Sequence, residues 1–215
     1  MTGEATLVGT FGPFELSIGE AQELPQGGIT FDGTGTLYAL LGHAESPGFD
    51  EECATSDRFI NFCLYRVEDP SNPAASTLVG VTTTDGVRPS MLAASCEAVY
   101  AGTFSQDDSF SSISTVNTET GARNQIGSLG DERFLEGADF DFAGTFWGVI
   151  VDDGDIGFAF DLSTLDPTGG TPIDAPGPIM TVEGDESPFF NALAIEPLDC
   201  IPEPAPIVLE PTFTG

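Results

Sequence analysis

The sequence predicts an all-β fold, a β-propeller of about four blades, and three observations lead to this prediction. Glycine and proline, 26 and 16 residues respectively, interrupt the chain every few positions, and no segment keeps an apolar period of 3.6 residues for three turns. Between these breaks lie short runs rich in β-branched and aromatic residues, which are typical of strands. The runs recur at intervals near 47 residues, which is the length of a four-stranded blade.

Eight strands are predicted from these runs. In chain order they are residues 28–31, 37–41, 62–67, 77–81, 99–104, 112–116, 146–151 and 157–160. Two markers show that the strands repeat. The first consists of ITF, MLA and ADF, which end at Phe31, Ala93 and Phe140, and each is followed six residues later by a second strand. The second marker, TLVG at 77–80, returns as QIG at 125–127 and TVEG at 181–184, and it predicts the outermost strand of each blade.

Each repeat contains the residues that a blade requires. Asp32-Gly33 and Ala143-Gly144 are predicted to close the hairpin between the first two strands. Small residues are predicted to let neighbouring blades approach, and they are Ala39, Ala101 and Gly148. Apolar and aromatic side chains are predicted to fill the space between blades, and they are Phe31, Leu37, Tyr38, Tyr100, Phe140, Phe146 and Trp147.

The last blade is predicted to be incomplete. Only its innermost strand, residues 191–196 with Ile195 as the anchor, is recognisable, and residues 5–10 repeat the outermost strand. The amino-terminal strand is therefore expected to close the ring, which makes residues 1–200 one propeller domain. Residues 43–60 form an insertion in blade one, and residues 201–215 form a proline-rich, extended tail.

Three phrases resemble a known group of repeats. GITFDGTGTLYAL, LYRVEDPSNPAASTLVG and STVNTETGARNQIG are similar to extracellular propeller repeats related to the lactonase-like and NHL families. The resemblance implies a propeller and says little about activity. The string IPEPAP at 201–206 resembles the start of the PEP-CTERM sorting signal, which implies an exported, extracellular or cell-surface protein. That signal continues into an apolar membrane segment and a basic cluster, which do not follow here.

The charge excludes several classes of partner. The chain has 35 acidic and 5 basic residues, a net charge of −30, and all five basic residues are arginine. A surface this negative repels phosphate, so nucleic acid and anionic membranes are not expected partners. No apolar run is long enough to cross a bilayer, so membrane insertion is not expected either. Cations are the natural partners, although the dispersed acid is more simply explained as a solubilising surface.

Two acidic hairpins are candidate calcium sites, and calcium is the one cofactor that the sequence suggests. Asp152, Asp153 and Asp155 are predicted to lie in a turn of blade three, and Asp107 and Asp108 in the corresponding turn of blade two. Carboxylates around a glycine can present oxygen atoms to calcium, which accepts flexible cages. A full calcium loop is absent, so a solvated turn is the other interpretation of both segments.

The four cysteines favour an oxidising compartment. Their even number and wide spacing, with no CxxC pair, fit disulfides better than zinc. The favoured pairs are Cys53 with Cys63, within blade one, and Cys96 with Cys200, between blade two and the chain end. The other pairings stay open at this point.

No catalytic constellation is recognisable. His43, the single histidine, is predicted to lie in a loop with no serine and aspartate at triad spacing. The lactonase-like resemblance implies a central metal held by inner-strand residues, but Thr30, Leu92 and Asp139 do not reproduce such a ligand set. The expectation is therefore a non-enzymatic protein, with a lactonase-like hydrolase as the least favoured alternative.

The tail suggests self-assembly. Ile207, Val208 and Leu209 form an apolar run, followed by Phe213, between prolines that keep the chain extended. This segment either completes its own blade or adds a strand to a neighbouring subunit, and head-to-tail donation would build extracellular filaments. The predicted function is a structural or surface protein that has itself as its partner. The alternative is a propeller module that binds a saccharide, a peptide or a cation.

Overall fold

The structure, a computed structural model, describes nine segments of the chain. They are residues 27–43, 61–72, 76–83, 87–105, 110–131, 133–154, 157–169, 171–174 and 178–183. This described part contains β-strands and turns and no helix. The predicted all-β class is confirmed.

The strands form three antiparallel sheets, which follow one another along the chain. Blade one contains β1 (Gly28–Phe31), β2 (Leu37–His43), β3 (Asn61–Val67) and β4 (Ser76–Thr83). Blade two contains β5 (Val87–Ala94), β6 (Val99–Ser105), β7 (Phe110–Val116) and β8 (Arg123–Asp131). Blade three contains β9 (Arg133–Phe140), β10 (Phe146–Gly154) and β11 (Gly157–Leu165), whose outer edge pairs with both β12 (Pro172–Asp174) and β13 (Pro178–Glu183). Each sheet is a simple meander.

The sheets stack face to face in chain order. One apolar cluster joins blades one and two, with Leu40 and Leu64 on one side and Leu92 and Ala101 on the other. A second cluster joins blades two and three. The first strands are neighbours, because β1 lies against β5 and β5 lies against β9. Four-stranded meanders stacked this way, with their first strands together, have the architecture of a β-propeller. A total of four blades stays a prediction, because the fourth repeat lies outside the described residues.

The two predicted markers fall where a blade requires them. The TLVG and QIG segments lie in β4 and β8, and residues 181–183 of TVEG lie in β13, and these are the outermost strands. Prolines 172 and 178 lie in these outer segments of blade three, where a missing N–H does not interrupt the sheet. The insertion falls between β2 and β3, where His43 pairs with Asn61. His43 is thus the last residue of a strand, so its predicted loop position is wrong.

The first turn of each blade differs from the prediction. In blade one the loop covers residues 32–36, and the left-handed glycine is Gly35 (φ 83°) rather than Gly33. Blade three has the same five-residue loop, with Gly144 (φ 80°) at the equivalent place. In blade two the loop has four residues, 95–98, because Ser95 and Ala98 close it. The ungapped alignment of the repeats is therefore wrong by one residue in β5.

Most of the predicted packing residues are buried. Tyr38 and Tyr100 lie in the two clusters between blades, and Ala39 and Ala101 are fully buried. The prediction that these aromatic side chains pack between blades is confirmed for both tyrosines. Phe31 and Trp147 are exceptions, because half of the Phe31 side chain is exposed and Trp147 is only partly buried.

Candidate assembly surface

The strand registers align the three blades residue by residue. We call the face of each sheet that is turned toward the preceding sheet its upstream face. In blade two this face contacts Tyr38 of blade one, and in blade three it contacts Tyr100 of blade two. Two pairs on the inner part of this face are equivalent in the three blades. The first is Ile29–Ala39, Leu92–Ala101 and Ala138–Gly148, and the second is Phe31–Leu37, Ala94–Val99 and Phe140–Phe146.

The inner strand of blade one differs from its equivalents in exposure. In blades two and three the inner-strand residues are almost fully buried, with exposures of 5% for Leu92, 7% for Ala94, and 3% for both Ala138 and Phe140. In blade one, Ile29 is 61% exposed and Phe31 is 51% exposed. These two residues, at alternate positions of β1, form the candidate assembly surface.

The exposed area is narrow. On the same face of blade one, Ala39, Cys63 and Tyr65 are buried on β2 and β3. The largely exposed apolar side chains of this face are thus confined to β1, whereas Leu41, Leu78 and Val81 on the same face are partly buried. Burying half of an isoleucine and half of a phenylalanine stabilises a complex by about 1 kcal/mol each.

The inner-strand positions next to the candidate surface do not form a ring of ligands. Thr30 pairs with Tyr38, Asp139 with Trp147, and Ala93 with Tyr100. The residue of blade two at this position is therefore Ala93, and the predicted equivalence of Leu92 is wrong because its first turn is shorter. Among the described residues, no group of three or more histidine, cysteine, aspartate or glutamate side chains could hold a metal ion.

Asp141 holds the first turn of blade three. Its Oδ1 accepts the amide N–H groups of Ala143 and Thr145, and its Oδ2 accepts the indole N–H of Trp147, each at 2.9 Å. The hydrogen bond from Trp147, together with those from the turn, lowers the pKa of Asp141 from its usual value. Asp32 accepts the two equivalent amide bonds in blade one. This repetition indicates that the aspartate positions the turn.

A polar cluster lies within blade two. Arg123 donates from Nη1 to Thr103 Oγ1 at 2.7 Å, and that hydroxyl lies 2.8 Å from Ser112 Oγ. Burial lowers the pKa of Arg123. Within the described residues Arg123 has no carboxylate partner, whereas the exposed Arg66 pairs with Glu68 at 2.6 Å. The cluster links three strands of one sheet and shows no catalytic arrangement.

Blades two and three share a β-bulge on their inner strands. In β5 the ladder passes from Pro89 to Met91, which leaves Ser90 unpaired. In β9 it passes from Leu135 to Gly137, which leaves Glu136 unpaired. Burial raises the pKa of Glu136. Bulges change the direction of side chains, and the bulge in β9 places the Glu136 carboxyl in a poorly solvated position.

The structure describes two of the five predicted calcium ligands by backbone alone. Asp152 and Asp153 belong to strand β10, where they pair with Ala159 and Phe158, so their predicted place in a turn is wrong. Consecutive ladder positions belong to opposite faces of a sheet, which differs from the clustered geometry of a turn. Asp155, Asp107 and Asp108 lie outside the described residues, and the calcium site stays a prediction.

Two of the four cysteines are described. Cys63 is fully buried in β3, and Cys96 is exposed in the first turn of blade two. Neither is a free thiol. Cys53 and Cys200 lie outside the described residues, so the pairing of Cys53 with Cys63 and of Cys96 with Cys200 stays a prediction.

The predicted donor segment also lies outside the described residues. It comprises Ile207, Val208 and Leu209, with Phe213 beyond them, and residues 5–10 and 191–196 lie outside as well. The exposure of Ile29 and Phe31 was not predicted, because the repeat pattern assigns Phe31 the same buried role as Phe140.

Comparison with known proteins gives no family. No protein-family model and no curated protein matches this chain. Among solved structures, dipeptidyl peptidase 4 from Porphyromonas gingivalis, a β-propeller protein, is similar with a TM-score of 0.42 and 11% identity. The match covers 72% of this chain and 24% of the peptidase. The propeller assignment rests on the sheet topology and not on this likeness. The described residues include no helix with the length and apolarity that crossing a bilayer requires.

Proposed function

We propose that this chain is a non-enzymatic, exported structural protein that assembles with copies of itself at the cell surface or outside the cell. The observation that supports assembly is the uneven burial of one repeated surface. Ile29 and Phe31 are exposed, although their equivalents in blades two and three are covered. Exposed apolar side chains at a position that the fold buries elsewhere are typical of an interface.

The donor in this proposal is the tail. Ile207, Val208 and Leu209 supply apolar side chains on an extended segment, and Phe213 supplies one more. The tail and blade one are different surfaces of the same chain, so the contact between subunits is heterologous. Such contacts build open filaments unless the rotation between subunits closes a ring.

Export is supported by composition. The absence of free thiols among the described cysteines fits an oxidising compartment, and the IPEPAP string fits a surface address. The net charge of −30 keeps free subunits soluble and apart until salt or bound cations screen them.

Electron microscopy of the purified full-length chain tests the proposal. Filaments are expected for the wild type, and discrete particles for a variant that lacks residues 205–215. A second variant keeps the tail length but replaces its apolar run (I207T, V208T, L209T), and it should also stay in discrete particles. Far-UV circular dichroism of all three proteins should show the same β signal. Discrete wild-type particles at all salt and calcium concentrations would contradict the proposal.

A binding module is the second candidate, and one residue favours it. Phe142 is 76% exposed on the turn that Asp141 holds, where blade one has Gly33 in the same hydrogen-bonded loop. The turn does not require an aromatic side chain, so Phe142 is available to stack on a ligand such as a saccharide. A glycan array probed with the wild type and with F142A tests this candidate, and equal signals from both proteins would count against it.

A further inference from the structure

A polar cluster lies on the upstream face of blade two, which is turned toward blade one. Thr103 on β6 is two positions from Ala101, which packs against blade one, and it pairs with Ser112 on β7. Arg123 on β8 pairs with Val116, which belongs to the same apolar cluster between the blades. Its guanidinium reaches the hydroxyl of Thr103. Three strands therefore contribute a polar side chain to one face.

The cluster is specific to blade two among the described blades. The ladder position of Thr103 and Ser112 is occupied by Leu41 and Cys63 in blade one and by Ile150 and Asp161 in blade three. At the position of Arg123 the other outer strands have Ser76 and Pro172. The stacking of blades therefore does not require a hydroxyl pair or a guanidinium at these positions.

The hydrogen bonds of the cluster leave an excess of donors. Arg123 has five N–H groups and no acceptor, and within the described residues it uses one, from Nη1 to Thr103 Oγ1 at 2.7 Å. Thr103 and Ser112 share one hydrogen bond of 2.8 Å, which engages one of their two hydroxyl hydrogens. Ser114, at the next position of the same face, has a buried Oγ with no hydrogen-bond partner in this part of the chain. The cluster thus lacks acceptors.

The guanidinium of Arg123 is also partly buried without a counter-charge. The chain has 35 acidic residues and only 5 arginines, yet no carboxylate of the described residues pairs with Arg123, whereas the exposed Arg66 pairs with Glu68. Burial lowers the pKa of Arg123. An anion that accepts hydrogen bonds would offset this desolvation and engage the free donors.

We infer that Arg123, Thr103 and Ser112 form a binding site for a small carboxylate ligand. A carboxylate only accepts hydrogen bonds, and its two oxygens match the fork of a guanidinium. One such group can therefore engage two N–H donors of Arg123 and the remaining hydroxyl hydrogen. Thr103 and Ser112 are buried and Arg123 is partly exposed, so a ligand can approach from the guanidinium side. The site does not depend on assembly and goes beyond the proposed function.

The charge of the whole chain favours a ligand with one negative charge. A net charge of −30 repels anions, and the repulsion grows with the number of charges on the ligand. Added salt screens this distant repulsion more than the contacts at a partly buried guanidinium. We therefore expect short organic acids with a single carboxylate to bind, and polyanions to be excluded.

A formate titration followed by NMR tests the site. The full chain labelled with ¹⁵N-arginine gives five Nε–H signals, one for each arginine. Sodium formate replaces sodium chloride at constant ionic strength. The signal that is absent from R123Q should move saturably, with a Kd of about 1–10 mM for so small a ligand. The signal that is absent from R66Q is the matched control and should move at least tenfold less, because Arg66 already has a carboxylate partner.

Two conservative variants test the geometry of the site. R123K keeps the positive charge but cannot form the two-pronged contact, and T103V keeps the shape but removes the hydroxyl that holds the guanidinium. Each should weaken formate binding at least fivefold, measured by thermal melting in formate and in chloride. The wild-type Tm should be about 3–10 °C higher in 100 mM formate than in chloride. R66Q should keep this difference, which separates site binding from a general effect of the salt.

Three results would overturn the inference. Equal movement of all five arginine signals, or an equal wild-type Tm in both salts, would mean that formate has no specific site. Unchanged binding in both R123K and T103V would place the site elsewhere. The segment 106–109, which joins β6 to β7 and lies outside the described residues, contains Asp107 and Asp108. If formate binds only after D107N with D108N, the chain supplies the carboxylate itself and the site takes no external ligand.

Discussion

The carboxyl group of Glu136 is partly buried, and its charged form destabilises the folded protein. It is the unpaired residue of the bulge in β9, and burial raises its pKa. A carboxyl whose pKa is raised by folding binds its proton more tightly in the native state. The destabilisation that this carboxyl causes is therefore absent at a pH below the unfolded pKa, grows as the pH rises from the unfolded to the folded pKa, and is complete above the folded pKa.

Replacing this carboxyl by an amide should stabilise the protein at neutral pH. E136Q keeps the shape and removes the charge, so we expect a Tm about 1–2 °C higher at pH 7. The difference should vanish near pH 4, where the wild-type carboxyl is protonated. Differential scanning calorimetry between pH 4 and pH 8 measures it, and E119Q, on an exposed turn, is the control. A constant difference at every pH would show that the charge of Glu136 is not the cause.

Residue identity alone does not reveal which member of a repeat is exposed. Phe31 and Phe140 precede the same five-residue turn and pair with Leu37 and Phe146, yet one is half exposed and the other is buried. The difference arises from the preceding blade, which covers Phe140 with Tyr100 and its neighbours. A local pattern describes a strand and its turn, whereas exposure depends on the neighbouring sheet.

At the scale of elements, the short hydrophobic strands were predictable and the irregular ones were not. The strand at residues 28–31 is confirmed, and the other predicted strands are confirmed with longer ends. β8 and β9 were identified only by their markers, because Gly127, Gly130 and Gly137 interrupt their alternation. The one-residue shift of β5 in the repeat alignment could not be predicted from the sequence. It arises because Ser95 closes a four-residue turn in blade two, whereas an aspartate closes a five-residue turn in the other two described blades.

A backbone contact between neighbouring blades gives a test of their packing. Gly80 in β4 lies against the turn between β7 and β8, where a Cβ on Gly80 would be 2.2 Å from the carbonyl oxygen of Thr120. Backbone atoms cannot move aside as a flexible side chain can. We expect G80A to destabilise the protein by about 2–3 kcal/mol, by separating blades one and two.

A matched glycine separates crowding from backbone strain. Gly35 has a φ of 83° but open space around its Cβ, so G35A should cost only about 1 kcal/mol. Urea denaturation of both variants measures the difference. Equal losses would mean that the approach of Gly80 to Thr120 contributes nothing to stability.

At the scale of the whole molecule, the net charge of −30 sets the conditions for folding and assembly. Bringing 35 acidic residues together in one fold produces repulsion that salt screens over about 10 Å at 0.1 M. Filaments bring these charges closer still, so apolar contacts such as those proposed for Ile29 and Phe31 must outweigh the repulsion. Monovalent salt should therefore raise both the Tm and the assembled fraction.

Calcium should raise the Tm more than charge screening alone would, if the acidic hairpins bind it. The candidates are Asp152, Asp153 and Asp155 in blade three and Asp107 and Asp108 in blade two. A ligand at about 100 times its Kd stabilises the native state by about 2.7 kcal/mol, which corresponds to a Tm rise of about 5–10 °C. Magnesium at equal ionic strength is the control, because it prefers a stricter octahedral set of oxygen ligands.

Variants of the two hairpins show which of them causes the calcium-specific rise in Tm. D153N with D155N should remove the calcium-specific part of the rise and keep the part due to salt, and D107N with D108N tests the second hairpin in the same way. Asp152 and Asp153 lie on successive rungs of β10, so Asp153 and Asp155, which are two residues apart in the sequence, are the pair that we expect to matter most. An equal Tm in calcium, magnesium and chelator at matched ionic strength would leave screening as the sole role of cations. Assembly would then depend on salt concentration and not on the identity of the cation.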